Sequence, residues 1–259
     1  MPNNQIANPI HTVKLSARGI GMDYRAGRAP VSVLSNINLE VNEGELVCIL
    51  GPSGCGKTTL LNIIGGFVTP TSGEVTIDGR PVRGPDPRHI FVFQECGIFP
   101  WLTVDANIGF GLRQLTTSER KQKVAHYVDL VGLKGFERSY PSELSGGMKQ
   151  RVEVARALAV NPDVLFLDEP FGALDSITRL VMRRELLRIQ EAERKTILFV
   201  THDIDESVQI ADRIVVMATR PATIQKIFTV DLPHPRDLSA PRYLELRDAI
   251  FEEIGLAHK

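Results

Sequence analysis

The chain has 259 residues, 43% of them hydrophobic, and carries 30 Lys and Arg against 31 Asp and Glu, for a net charge of −1. That is enough apolar material for one substantial core with a smaller lobe, and the charge balance argues against bulk nucleic-acid binding. No window approaches the roughly 18 consecutive apolar residues of a membrane span, so any membrane process this chain serves must have its spanning segments on other chains.

The start of the chain is mostly polar and lacks the apolar stretch of a signal peptide, so residues 1–11 read as a flexible tail. Cys48, Cys55 and Cys96 form no CxxC pair, and their small, odd number fits a reducing, intracellular compartment. Three β-rich runs follow, at residues 11–24, 32–41 and 45–50, the last two separated by the turn signal Asn42-Glu43-Gly44. A Gly-rich loop over residues 51–56 leads into a helix over 57–64, which Gly65 and Gly66 end. Short strands are expected at 74–78 and 89–94. From 97 to 147 the chain has no strand signal and reads as a helical lobe, with Thr116 and Glu119 as a capping box before residues 120–130. A long helix over 145–160 stops at Asn161-Pro162. After it come a strand at 164–167, an amphipathic helix at 176–193 and a strand at 196–201. Asp203 then caps a helix, strands follow at 214–218 and 223–230, and the last helix spans 242–255. Residues 233–241, rich in proline, are the one candidate linker, which divides the chain into a tail, a main domain over 12–232 and a C-terminal linker with helix over 233–259. Strands alternating with helices predict an α/β fold: a mostly parallel sheet with helices on both faces, an N-terminal antiparallel β part and the helical lobe.

Three groups of residues carry chemistry. Gly51-Pro52-Ser53-Gly54-Cys55-Gly56-Lys57-Thr58 fits G-x-x-x-x-G-K-[ST], the P-loop pattern, with an apolar strand before it and a helix after it. Glycines let backbone N–H groups curl inward onto a polyphosphate at a helix N-terminus. Lys57 brings a positive charge to the β- and γ-phosphates, Thr58 a hydroxyl for Mg²⁺, and Thr59 a second hydroxyl within reach of the α-phosphate. Cys55 lies in the same loop, so bound ATP is expected to shield it from thiol reagents. Asp168 and Glu169 close an apolar strand, where the ligand site of a parallel sheet belongs. Asp168 suits Mg²⁺, held through water, and Glu169 can face an attacking water as general base. His202 closes the next strand, where an imidazole can stabilise charge developing on the γ-phosphate.

Leu144-Ser145-Gly146-Gly147-Met148-Lys149-Gln150-Arg151 resembles the signature sequence of ATP-binding cassette (ABC) transporter ATPases. The loop, the signature, the acid pair, Ala173-Leu174-Asp175 and His202 fall in that family's order over residues 12–232. The resemblance implies a P-loop NTPase core with ATP and Mg²⁺ as cofactors. It also implies a head-to-tail dimer with a second ATPase subunit, a homodimer, in which the Lys57 loop of one subunit and the Ser145-Gly146-Gly147 helix end of the other hold each ATP. It further implies that Tyr24 stacks on adenine, that Gln94 senses Mg²⁺ and the attacking water, and that Asp175 makes a dimer contact. Met148, where the family most often has glutamine, and Gly172, in place of a usual serine, are departures. Ile98, Phe99 and Trp101 mark an apolar loop where the resemblance implies that integral membrane permease subunits dock, near residues 94–101.

The runs around Phe99-Pro100-Trp101, residues 170–175 and residues 231–236 are similar to the motor subunits of nitrate, sulfonate, taurine and bicarbonate importers. That implies a peripheral protein on the cytoplasmic face of a bacterial inner membrane, working with a periplasmic or lipid-anchored solute-binding protein. A soluble ABC ATPase acting on nucleic acid or ribosomes, and a non-hydrolysing nucleotide-dependent regulator, are the competing readings. Neutral charge weighs against the first, and Glu169 with His202 against the second.

Overall fold

The computed structural model describes residues 12–26, 29–94 and 97–255. The tail at 1–11, Cys96 and the last four residues lie outside these.

Two long strands, β1 (Val13–Ala26) and β2 (Ala29–Asn42), pair antiparallel along their length. After β3 (Leu46–Leu50) and α1 (Lys57–Ile64), β4 (Ser72–Ile77) returns to pair antiparallel with β1. The two-residue strand β5 (Arg80–Pro81) completes a four-stranded sheet in the order β2-β1-β4-β5. Then come β6 (His89–Val92), α2 (Val104–Ile108), α3 (Thr117–Leu130) and α4 (Gly146–Ala159). The rest of the chain runs β7 (Val164–Asp168), α5 (Ser176–Glu193), β8 (Thr196–Thr201), α6 (Ile204–Ile210), β9 (Arg213–Met217), β10 (Ile224–Thr229) and α7 (Pro241–Glu253).

The second sheet has the order β10-β9-β3-β8-β7-β6. Only β10 is antiparallel to its neighbour; the other pairs are parallel. Its strands read as unbroken apolar runs because both faces are covered. Side chains alternate between two cores, as a period of two demands. Cys48, Leu50, Leu165, Leu167, Ile197 and Phe199 join the core shared with α2–α7. Val47, Ile49, Val164, Phe166, Leu198 and Val200 join the core under the antiparallel sheet and α1.

The predicted caps form as read. Thr116 and Glu119 make a reciprocal capping box on α3, and Asp203 accepts from the Glu206 N–H on α6. Between residues 97 and 147 the described chain has helices and turns only. β5 carried no sequence signal, since it is two residues long and contains a proline. β6 ends at Val92 instead of reaching Gln94, so Gln94 sits in the bend beyond the strand. The proline-rich segment before α7 is pinned to the body: Arg236 donates to the Val208 carbonyl at 2.6 Å. Tyr243 and Ile250 of α7 are fully buried in the larger core. No helix among the described residues is long and apolar enough to cross a membrane.

Candidate functional site

Parallel register brings the chemistry to one edge. Leu50 pairs with Thr201, Asp168 with Val200 and Val92 with Leu167, so Gly51, Glu169, His202 and Gln94 all emerge from the same ends of neighbouring strands. Ser53, Gly54, Gly56, Lys57, Thr58, Thr59, Gln94, Glu169 and Arg220 together line an open cavity of about 180 Å³.

The loop is braced from both sides. A Cβ on Gly51 would lie 2.9 Å from the Met217 carbonyl oxygen, and one on Gly56 2.9 Å from a Leu34 methyl. Gly56 also has φ of +120°, outside the range of other residues, and its position as N-cap leaves no side chain to satisfy the first N–H groups of α1. Those donors are available to an anion. Lys57 is buried, and its ammonium donates to the Gly51 carbonyl at 2.7 Å and the Pro52 carbonyl at 3.1 Å. The lysine thereby holds the loop in a curl while its charge remains under the cavity floor. Cys55 is 2% exposed, with its sulfur turned in toward Gly51. The thiol is therefore already buried before any nucleotide binds, which corrects the expectation that ATP would be what shields it.

Asp168 is buried at the end of β7. Desolvation raises its pKa above the ordinary carboxylate value, opposed by a hydrogen bond from Thr58. Its Oδ1 is buried without a hydrogen-bond partner. Such an orphaned oxygen beside a threonine hydroxyl, with Gln94 on the same cavity, is a hard-oxygen set that fits Mg²⁺. Among the described residues no group of three or more His, Cys, Asp or Glu forms a metal cage. A Mg²⁺ here would thus complete its shell with water and phosphate oxygens, as this ion commonly does. Because a buried carboxylate is destabilising, Asp168→Asn is expected to raise the melting temperature of nucleotide-free protein in chelator, by roughly 2–4 °C per kcal/mol relieved. The same variant should lose Mg²⁺-dependent turnover; a lowered melting temperature would contradict the desolvation argument.

Glu169 has φ of +49°, a left-handed conformation that costs a non-glycine residue about 1 kcal/mol. Its side chain turns to His202, whose Nδ1 lies 3.2 Å from Glu169 Oε1. The residue before His202 is anchored: Thr201 donates to buried Glu206 at 2.7 Å, and Glu206 is paired with Arg183 at 3.1 Å. The contact between Glu169 and His202 was not visible in the sequence, where each was assigned separately. A second unforeseen link is Gln150 on α4. Its Nε2 donates to the Glu169 carbonyl at 3.3 Å, and its Oε1 accepts from the Ala173 N–H at 3.1 Å. Arg179 also ties this region together, donating to the Leu174 carbonyl at 3.0 Å and lying 3.9 Å from Asp203.

The other candidates lie outside the Lys57 cavity. Ser145 caps α4, accepting from the Met148 N–H at 3.3 Å, and with Gly146 is exposed. A Cβ on Gly147 would lie 3.1 Å from the Ala173 carbonyl oxygen, which places it against the segment before Asp175. Both oxygens of Asp175 are engaged by Thr178, through its N–H at 3.0 Å and its hydroxyl at 2.7 Å, which holds the Asp175 pKa low. Tyr24 is exposed on β1, opposite Val31. Of the three apolar loop residues, only Trp101 is strongly exposed, at 69%. Ile98 packs on the core, and Phe99 is fixed by the buried Asn107, which accepts from its N–H at 2.8 Å and donates to its carbonyl at 3.1 Å. The expected three-residue patch is thus corrected to Trp101 with the half-exposed ring of Phe110 beyond Phe99.

A glycine-rich loop between strand and helix, with carboxylates at the tip of a second parallel strand, defines a P-loop nucleotide hydrolase. Residues 34–172 match the family model described as ABC transporter. The chain is 46% identical over 250 residues to the nitrate import ATP-binding protein NrtD of Synechococcus elongatus, covering 93% of this chain and 91% of that protein. It is 45% identical over 239 residues to the aliphatic sulfonates import ATP-binding protein SsuB of Bacillus cereus, covering 92% and 95% respectively. Among solved structures, a dimeric ATP-binding cassette in a post-hydrolysis state, bound to ADP and Pi, superposes with a TM-score of 0.76 at 33% identity, over 83% of this chain and 98% of that one. The chain belongs to the ABC transporter family, and it is an ATPase.

Proposed function

We propose that this ATPase is the motor subunit of a bacterial importer for a small anionic solute such as nitrate, a sulfonate, taurine or bicarbonate. The main domain over residues 12–232 carries the catalytic parts, with the helical lobe at 97–147 and the C-terminal segment packed on it. The observation that carries the reading is the single cavity lined by Lys57, Thr58, Gln94 and Glu169, with the Ser145 helix end exposed outside it.

A subunit with both a phosphate cradle and a separate exposed helix end can complete its site with a second ATPase subunit, and a second copy of this chain offers the matching half. Two chains related head to tail would bury two ATP, each between Lys57 of one and the Ser145-Gly146-Gly147 end of the other, with Asp175 at the contact and Tyr24 under adenine. The exposed Ile177, Leu180 and Val181, which follow Asp175 on one face of α5, support an interface there. Lys57 and the N–H groups of α1 hold the phosphates. Glu169 orients the attacking water and takes its proton, while His202 fixes the Glu169 carboxylate and faces the γ-phosphate. Mg²⁺ at Thr58, Asp168 and Gln94 supplies neutralisation of charge on the phosphate oxygens. Loss of the γ-phosphate after hydrolysis removes contacts shared by the two chains, and the dimer opens.

Transport requires a membrane partner, and exposed Trp101, a few residues from Gln94, is the surface offered to the permease. The protein then sits on the cytoplasmic face of the inner membrane, and the solute-binding protein acts from the other side without touching it. The test is purification of the chain from detergent-solubilised native membranes. Two integral membrane permease subunits should accompany it. Trp101→Glu should remove them while leaving Mg²⁺-ATPase activity of the isolated chain within about twofold, because surface changes are usually mild. Co-purification of ribosomes or nucleic acid in place of permease would overturn the transport reading.

A further inference from the structure

One cation on the nucleotide cavity has no role in the scheme above. Arg220 lines it together with Lys57, Gln94 and Glu169, and it comes from the turn between β9 and β10. That turn lies on the side of β3 opposite β8, so Arg220 reaches the cavity from the flank opposite the strands that carry His202 and Glu169. A Cβ built on Gly54, at the apex of the loop, would lie 4.0 Å from Arg220 Nη2.

The turn is held as firmly as the loop itself. Ala218 donates to the Thr223 carbonyl, Ala222 to the Val33 carbonyl and Ser35 to the Ala222 carbonyl, each at 2.9 Å. Ala222 is completely buried. Val33 and Leu34 are also the residues that press on Gly56, and Met217, which precedes the turn, presses on Gly51. The same two strands therefore fix both the loop and the arginine beside it. Yet the arginine side chain is exposed, and among the described residues it takes no ion-pair partner. An arginine whose backbone is fixed beside the loop and whose donors are unpaired can turn to an anion that arrives from solution.

We propose that Arg220 is a second phosphate-binding cation of this site, gripping the nucleotide's phosphate chain at the Gly54 apex while Lys57 acts from beneath. The inference rests on the nucleotide reading of the cavity. Lys57 is buried and shares its ammonium with two loop carbonyls, so on the Gly54 side of the cavity Arg220 is the charged side chain free to meet the phosphates, beside the N–H groups of α1 and whatever charge Mg²⁺ would supply. The guanidinium supplies that charge and a planar pair of donors.

The test is equilibrium binding of Mg²⁺ with a non-hydrolysable ATP analogue to the isolated chain, at low and moderate salt. Arg220→Gln should weaken binding about 10-fold, the range for a charge-assisted hydrogen bond near the surface. It should also flatten the salt dependence, and Arg220→Lys should recover part of the affinity. Melting temperatures of both variants without nucleotide should match the parent protein. Unchanged affinity in Arg220→Gln overturns the proposal. So does a loss that Arg220→Lys does not relieve and that comes with a lowered melting temperature, since that is the mark of a structural residue. Lys57→Ala separates the two levels: if it also binds normally, the cavity is not the nucleotide site, whereas its failure beside a normal Arg220→Gln removes Arg220 alone.

Discussion

Glu169→Gln should lower the Mg²⁺-ATPase rate by about 10²–10⁴-fold, the usual contribution of a positioned general base. The substitution removes a proton acceptor and changes little else. Glutamine keeps the volume, its amide can still meet His202 Nδ1 at the observed 3.2 Å, and the backbone partners of residue 169 are untouched. Binding should survive because the phosphate contacts belong to the loop and α1. With ATP bound and not consumed, the closed dimer should persist, so the variant should elute at twice the subunit mass with ATP and at the subunit mass with ADP. Turnover within a few-fold of the parent would remove Glu169 from its role and leave the strained backbone at this position without a purpose.

Ser145→Arg tests the shared site. Placed in the Glu169→Gln background, it should abolish the ATP-dependent dimer and leave ATP binding by the single subunit within a few-fold. Ser145 is exposed at the start of α4 and does not line the Lys57 cavity, so within one chain an arginine there has nothing to disturb beyond one capping hydrogen bond. Losing that cap costs about 1 kcal/mol of stability. Across a dimer the same side chain fills the space a phosphate needs. A dimer that still forms with ATP would show that the helix end and the loop never meet.

How much of this was legible beforehand depends on the distance over which each feature is written. The P-loop, the acid pair and the capping residues are local: their side chains and the backbone groups they serve are only a few residues apart. The contact between Glu169 and His202 spans two strands, and it exists because β7 and β8 pair in parallel register. Arg220 escaped notice for the same reason. No local pattern marks it, and only the placement of β9 beside β3 brings its turn to the loop. Phe99 and Trp101 are similar in composition and neighbours in sequence, yet one is fixed by Asn107 and the other faces solvent. Hydrophobicity alone does not separate them, whereas a buried asparagine eight residues from Phe99 does.

Gln150 links two things that a single subunit keeps for different nucleotides. It rides on α4, whose first residues would serve the ATP of the partner, and it grips the carbonyl of Glu169, which would serve the subunit's own ATP, and the N–H of Ala173, just before the proposed Asp175 contact. In such a pair, the filling or emptying of one pocket has a short mechanical route to the other through one amide side chain. Cross-talk between the two halves, with one firing in response to the state of its twin, is then a property of the wiring inside each protomer and needs no separate relay.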